Sequence, residues 1–217
     1  MIDMFPVNRT LDMTEGVHEY VAIANLHEGH IPTHAAIIIN YKEELILFHY
    51  TGYDIEYSIV SDEYYHRVTK LIAQDEIPSF IALCKNIQKK ANPSYGFFYS
   101  GESYDTNGDH LSNSDTGERM TCVGFCLNVL KGFLEADYIE YSDWTEASHE
   151  DDQYLERYCT NHQLEIESIR SSHRRINPRE CLASAFFNNL PIQKVDIDEK
   201  VQILDTYFGR LFSSEEE

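Results

Sequence analysis

The chain is short of positive charge, of cysteine and of long apolar runs, and each shortage removes a class of function. Lysine and arginine number 17 against 37 aspartates and glutamates, a formal net charge of −20. Proteins that hold nucleic acid or anionic membrane surfaces do so largely by neutralising phosphates with cationic side chains, so neither partner is expected. The one basic cluster, Arg170 to Arg175, reads as a solvated turn. No segment approaches the roughly 20 apolar residues that cross a bilayer. The first ten residues lack a basic start followed by an apolar run, so a cytoplasmic protein is expected. The five cysteines, Cys84, Cys122, Cys126, Cys159 and Cys181, are odd in number and share no spacing, which favours reduced thiols over a disulfide framework. With no internal repeat and no low-complexity linker, residues 1–217 read as one domain ending in a disordered tail, Ser213 to Glu217.

What is present is enough for a substantial core: 42% of residues are hydrophobic, and 15 tyrosines and 11 phenylalanines suit a well-packed interior. The expected class is α+β, a small antiparallel sheet packed on helices.

The informative stretch is Thr121-Cys122-Val123-Gly124-Phe125-Cys126-Leu127-Asn128-Val129-Leu130. Apolar residues from Val123 to Leu134 cover more than one side of the expected helix, as in a buried helix. Cys122 stands at its front. There the positive end of the helix dipole, helped by a nearby imidazolium, favours the nucleophilic thiolate. The plain alternative is a cysteine packed as a small hydrophobe.

Upstream, Tyr20 to Asn25 reads as a strand and His27 to Thr33 as a loop. The clearest hairpin follows, His34 to Ile39 and Glu44 to Tyr50 around a turn at 40–43. A turn centred on the Tyr41–Lys42 bond sets His34 opposite His49 on one face, their Cβ atoms about 4.5 to 5.5 Å apart. A one-residue shift would send one imidazole to the other face. Residues 51–60 read as irregular or strand. Ser61 and Asp62 look like caps of a helix, and a second helix runs from Ser79 to Lys90 after a break near Pro78. Phe97 to Tyr99 looks like a short strand, and Asp105 to His110 like a polar loop over the nucleophile. Tyr138 to Trp144 reads as a weak strand or turn, Gln163 to Ile169 as a strand, and Asn177-Pro178 as a capped helix start leading to Phe187.

A thiol at a helix front and two imidazoles on adjacent strands are the parts of a cysteine hydrolase: nucleophile, base and orienting group. Thr33-His34-Ala-Ala-Ile-Ile-Ile39, with Leu47-Phe48-His49, resembles the histidine hairpin of the NlpC-like branch of the papain-like cysteine hydrolases. Thr121-Cys122-Val-Gly-Phe125 resembles that branch's Asp-Cys-Ser-Gly-Phe nucleophile motif, with Thr121 and Val123 in place of aspartate and serine. Histidines preceding cysteine is the order of the circularly permuted members, which include relatives of lecithin retinol acyltransferase. Pro93-Ser94-Tyr95 is similar to a Pro-Tyr segment whose tyrosine leans over the active site, here with Ser94 intervening. Asn177-Pro178 to Phe187 resembles the family's C-terminal helix.

The resemblance implies a permuted papain-like fold and a peptidase or amidase that needs no cofactor. It implies Cys122 as nucleophile, His34 as base, His49 as its orienter, and Tyr95 near the oxyanion. A small peptide or aminoacyl amide would be the substrate. A lipid-directed acyltransferase or thioesterase, and an inactive binding protein on the same scaffold, are the rival readings. Three metal readings compete with the hydrolase reading. Asp105 to His110 begins like a calcium loop but lacks glycine at the sixth position and glutamate at the twelfth. His27, His30 and His34 form a His-rich tract, but Pro32 denies them a shared helical face. Cys122 and Cys126 lack a second ligand pair.

Overall fold

The computed structural model describes residues 5–6, 19–60, 64–96, 102–112, 118–144, 152–163, 165–166 and 175–213. Their centre is an antiparallel sheet built from β1 (Phe5–Pro6), β2 (Tyr20–Glu28), β3 (Ile31–Tyr41), β4 (Glu44–Tyr50), β5 (Ile55–Ile59) and β6 (Tyr64–Val68), in the order β1-β6-β2-β3-β4-β5. Helices α1 (Ile77–Lys90), α2 (Cys122–Leu134), α3 (Asp152–His162), α4 (Pro178–Ser184) and α5 (Lys194–Ser213) complete an α+β chain. Between α1 and α2 lie three short elements, β7 (Ser94–Tyr95), β8 (Ser103–Tyr104) and β9 (His110–Leu111), and then β10 (Arg119–Met120). Among the described residues no helix is long and apolar enough to cross a membrane.

Alternation along the strands divides the sheet's apolar residues into two faces. Ala35, Ile37, Ile39, Ile46, Phe48 and Tyr50 join the main core with α1, α2 and α4. Ala22, Ala24, Ala36, Ile38, Leu47 and Tyr64 form a second cluster on the other face. The α2 helix is buried from Val123 to Leu130, as its all-round apolar sequence requires. Phe125 meets Phe48 at 5.1 Å and Tyr50 at 6.2 Å between ring centroids. Gly132 lets β8 cross the helix, because a Cβ there would collide with the Tyr104 carbonyl oxygen.

Several expectations need correction. The expected loop at His27 to Thr33 is a tight hairpin joining β2 and β3 through Gly29 and His30. The helix expected after Ser61 is strand β6. Tyr64, Tyr65 and His66 are all buried because both faces of the strand are covered, Tyr65 by Phe208 and Phe212 and the other face by the second cluster and Tyr20, so the alternation that marks a half-exposed strand is absent. Its expected caps, Ser61 and Asp62, lie outside the described residues. The 105–110 segment, expected over Cys122, packs on α1, where Gly108 abuts Asn86 and Lys90 pairs with Asp109 at 2.8 Å. By contrast, Tyr138 to Trp144 is the weak strand or turn expected, with the bridge Ile139 to Ile192 and a short 3-10 turn at Tyr141–Asp143. The expected strand at Phe97 to Tyr99 and the basic residues Arg170 to Arg174 are outside the described residues, as are most of Gln163 to Ile169 and all but the first residue of the tail.

Candidate active site

The β3–β4 hairpin turns one residue later than its sequence suggests. Its ladder runs from Tyr41↔Glu44 to Ile37↔Phe48, around a two-residue turn at Lys42 (φ 49°) and Glu43 (φ 66°). Both residues have positive φ, the geometry of a type I′ turn, which matches strand twist and is ordinarily marked by Asn or Gly. Extending this register puts His49 level with Ala36, two residues from His34. A two-residue offset preserves the face, so the imidazoles are diagonal neighbours. Their centroids are 5.0 Å apart, and His34 Nε2 lies 2.8 Å from His49 Nδ1.

On the next strand Glu56 pairs with His49, and its Oε2 stands 3.4 Å from His49 Nε2. This third member was missed from sequence, although a signal existed: a hairpin centred on Gly52-Tyr53 sets Glu56 opposite His49. The three side chains fix one another's protons. An ionised carboxylate only accepts, so His49 carries its proton on Nε2 and offers Nδ1 as acceptor. His34 must then donate from Nε2, which leaves Nδ1 with its lone pair. Among the described residues nothing hydrogen-bonds to that Nδ1. Burial pushes His34 down to about 4, and the nearby His49 adds to the fall. Buried Asn25, on β2, donates from Nδ2 to the His34 carbonyl at 3.3 Å and steadies this part of β3.

Cys122 opens α2. Thr121 caps the helix, its Oγ1 accepting from Gly124 N at 3.1 Å, as a short hydroxyl side chain does at this position. The β3–β4 ladder ends at Ile37↔Phe48, short of His34 and His49. At that open end the Ala35 backbone N–H faces the Cys122 sulfur. The N–H that faces the thiol thus belongs to the residue after His34; His34 and His49 share the strand parity of Ala36, Ile38 and Leu47, whereas Cys122 packs against the cluster of Ala35, Ile37 and Phe48. Cys122 is half-buried and not sealed, whereas Cys126 and Cys181 are fully buried and hydrogen-bond each other.

The expected lowering of the thiol is not what the resting site produces. Burial pushes the Cys122 thiol up, the Ala35 N–H opposes that, Cys181 adds to the rise, and the Val123 and Cys122 N–H groups oppose it. Desolvation outweighs the backbone donors, so thiol and imidazole are both neutral at rest.

Tyr95 is the fourth expected position. In the parallel β7–β10 pair Tyr95 is level with Met120, two residues before Cys122, and Gly96 N donates to the Met120 carbonyl at 3.1 Å. Its phenol is pushed up by burial and by the Cys122 thiol, while Arg175 acts in the opposite sense. The Tyr50 hydroxyl anchors this segment, 2.9 Å from the Gly52 carbonyl and 3.0 Å from that of Pro93. The Asn177 cap is present as expected, with a reciprocal Asn177–Glu180 capping box starting α4.

No family model, curated protein or solved structure matches the chain. The rival metal readings find no geometry. His27 packs 4.2 Å from Phe208, far from the task of His34, and among the described residues no group of three His, Cys, Asp or Glu could hold a metal ion.

Proposed function

We propose that this protein is a cysteine-dependent hydrolase, a peptidase or amidase, on a permuted papain-like scaffold. The observation that supports it best is the directed chain Glu56–His49–His34. It ends on an unpartnered imidazole nitrogen one residue from the N–H that faces Cys122.

In the reaction His34 Nδ1 takes the thiol proton as Cys122 Sγ attacks the substrate carbonyl carbon. The charge arising on His34 is spread towards His49 and Glu56, which needs no reorganisation because their protons already point that way. The Cys122 and Val123 N–H groups belong to the first turn of α2, where backbone donors have no helical partner. They face the developing oxyanion, with the Tyr95 hydroxyl beside them. Imidazolium His34 returns its proton to the leaving nitrogen, and the amine departs. Water, deprotonated by the same Nδ1, then hydrolyses the thioester and regenerates the thiol.

The test is incubation with activated aminoacyl esters and amides, followed by mass spectrometry of the intact chain. An acyl adduct on Cys122, absent from Cys122→Ala and strongly reduced in His34→Ala, is expected. Acylation indifferent to His34, or none with any acyl donor, sinks the reading and favours a binding protein.

A further inference from the structure

The hairpin that orients the histidines also displays an aromatic side chain that no core contact explains. Tyr53, at the tip between β4 and β5, is 85% exposed. An exposed tyrosine is ordinary on a loose loop, but this tip is held tightly. Thr51 Oγ1 accepts from Asp54 N at 3.0 Å and from Tyr53 N at 3.3 Å, Thr51 N donates to the Asp54 carbonyl at 3.0 Å, and the Tyr50 hydroxyl holds the Gly52 carbonyl. Gly52, at φ +98°, turns the tip so closely onto Tyr95 that a Cβ there would touch its ring at 3.5 Å. Tyr53, Gly52, Tyr95 and Cys122 therefore follow one another across the surface as a fixed ledge leading to the thiol.

The tip itself carries charge of one sign: Asp54 lies beside Tyr53, and the charges of Asp54 and Glu118 are both felt at the Tyr50 hydroxyl that anchors the tip. Among the described cations, Arg175 is felt at Tyr95, Arg119 donates to the Tyr158 hydroxyl at 2.8 Å, and Lys85 lies over the Tyr57 ring of β5, 5.4 Å from its centroid. An exposed aromatic ring on a held backbone, beside a carboxylate, attracts an ammonium or guanidinium group through the ring quadrupole and through simple Coulomb force.

We propose that the ledge is a specificity subsite for a cationic substrate: an amide or peptide whose acyl part carries a lysine- or arginine-like side chain, received by Tyr53 and Asp54. This rests on the thiol-hydrolase reading, and the test separates the two. Chloromethyl ketones of lysine, leucine and glutamate alkylate a thiol by forming an Sγ–C bond as chloride leaves. Their rates on Cys122 of the full chain, followed by mass spectrometry, read the subsite without requiring turnover.

The lysyl reagent should react about tenfold faster than the glutamyl one at low salt, with the leucyl reagent between, and added salt should narrow the gap. In Tyr53→Ala and in Asp54→Asn the lysyl-to-glutamyl ratio should fall to about a third of its wild-type value or less, and Tyr53→Phe should retain it. Equal lysyl and glutamyl rates in the wild type, or a ratio unmoved by Tyr53→Ala, overturn the subsite. Neutral iodoacetamide distinguishes the failures. His34-dependent labelling with no lysyl preference removes the subsite alone, whereas labelling indifferent to His34 removes the hydrolase reading and the subsite with it.

Discussion

His34 and His27 stand on the two strands of one hairpin, and burial pushes both down to about 4. There the likeness ends. His34 is hydrogen-bonded through Nε2 to His49, which in turn faces Glu56, and no described residue hydrogen-bonds its Nδ1. His27 lies against Phe208, Tyr65 and Phe212; Arg179 adds to its fall, the Gly29 backbone opposes it, and neither buried ring nitrogen makes a well-formed hydrogen bond. A shifted histidine is thus not by itself a sign of chemistry. What separates the two is the direction of their hydrogen bonds: one imidazole is aimed, the other is packing between α5 and the sheet.

Substitution at the two sites should have opposite consequences, and the largest is catalytic. His34→Ala should lower hydrolysis of an activated amide by about 10² to 10⁴, the range lost with a general base, with little change in melting temperature. His27→Leu should leave turnover alone. It should hold or raise thermal stability, on the order of 1 kcal/mol, because two buried unpaired nitrogens are removed. Thermal melts and steady-state rates on both variants decide this, and a reversal of the pattern breaks the contrast.

Acid should reveal what the two share. Each histidine titrates near 6.5 in the unfolded chain and about 4 in the folded one, so between these values the unfolded state binds more protons. Stability is therefore unaffected above about 6.5, declines as pH falls, and bears the full loss below about 4. That loss is of order 3 kcal/mol per site. His27→Leu should remove one share of this acid sensitivity, visible as a flatter plot of melting temperature against pH. Turnover should keep a neutral base down to about 4, so an acid limb near 6.5 in kcat/KM would contradict the His34 assignment.

Glu56→Gln sharpens the comparison at the far end of the chain. The carboxylate side chain is 51% exposed and 3.4 Å from its partner, so its loss should reduce kcat by only about tenfold, well short of losing His34. The smallest effect belongs to Thr121→Ala, about 1 kcal/mol of stability for the lost cap, measured by denaturant midpoint.

Much of this site could be read before folding was known, for identifiable reasons. The α2 helix declares itself by its apolar run behind a Thr121 cap, and the histidine hairpin by two runs of branched and aromatic residues around a polar break. The register was one turn position out because Lys42 and Glu43 adopt positive φ without the Asn or Gly that usually announces it. The expectation survived because side-chain direction repeats every two residues. Strand β6 was hidden by being covered on both sides, and Ser61-Asp62-Glu63 imitates a helix cap. Helix α5 was overlooked although Ile197, Val201, Leu204, Phe208 and Leu211 recur at helical spacing, four of them three or four residues from the next. The balance of forces on the thiol was not legible at all. The helix dipole is a local property of sequence, but the burial that outweighs it exists only in the folded chain, where Ala35 and Cys181, distant in sequence, act on the thiol.

The most direct test of the central pairing is the rate of Cys122 alkylation by iodoacetamide between pH 5 and 10, in the wild type and in His34→Ala. A thiol served by His34 predicts slower alkylation in the variant throughout the neutral range, with the two curves converging as the free thiolate takes over at high pH. Superimposable curves across the whole range would mean that sulfur and imidazole do not act together.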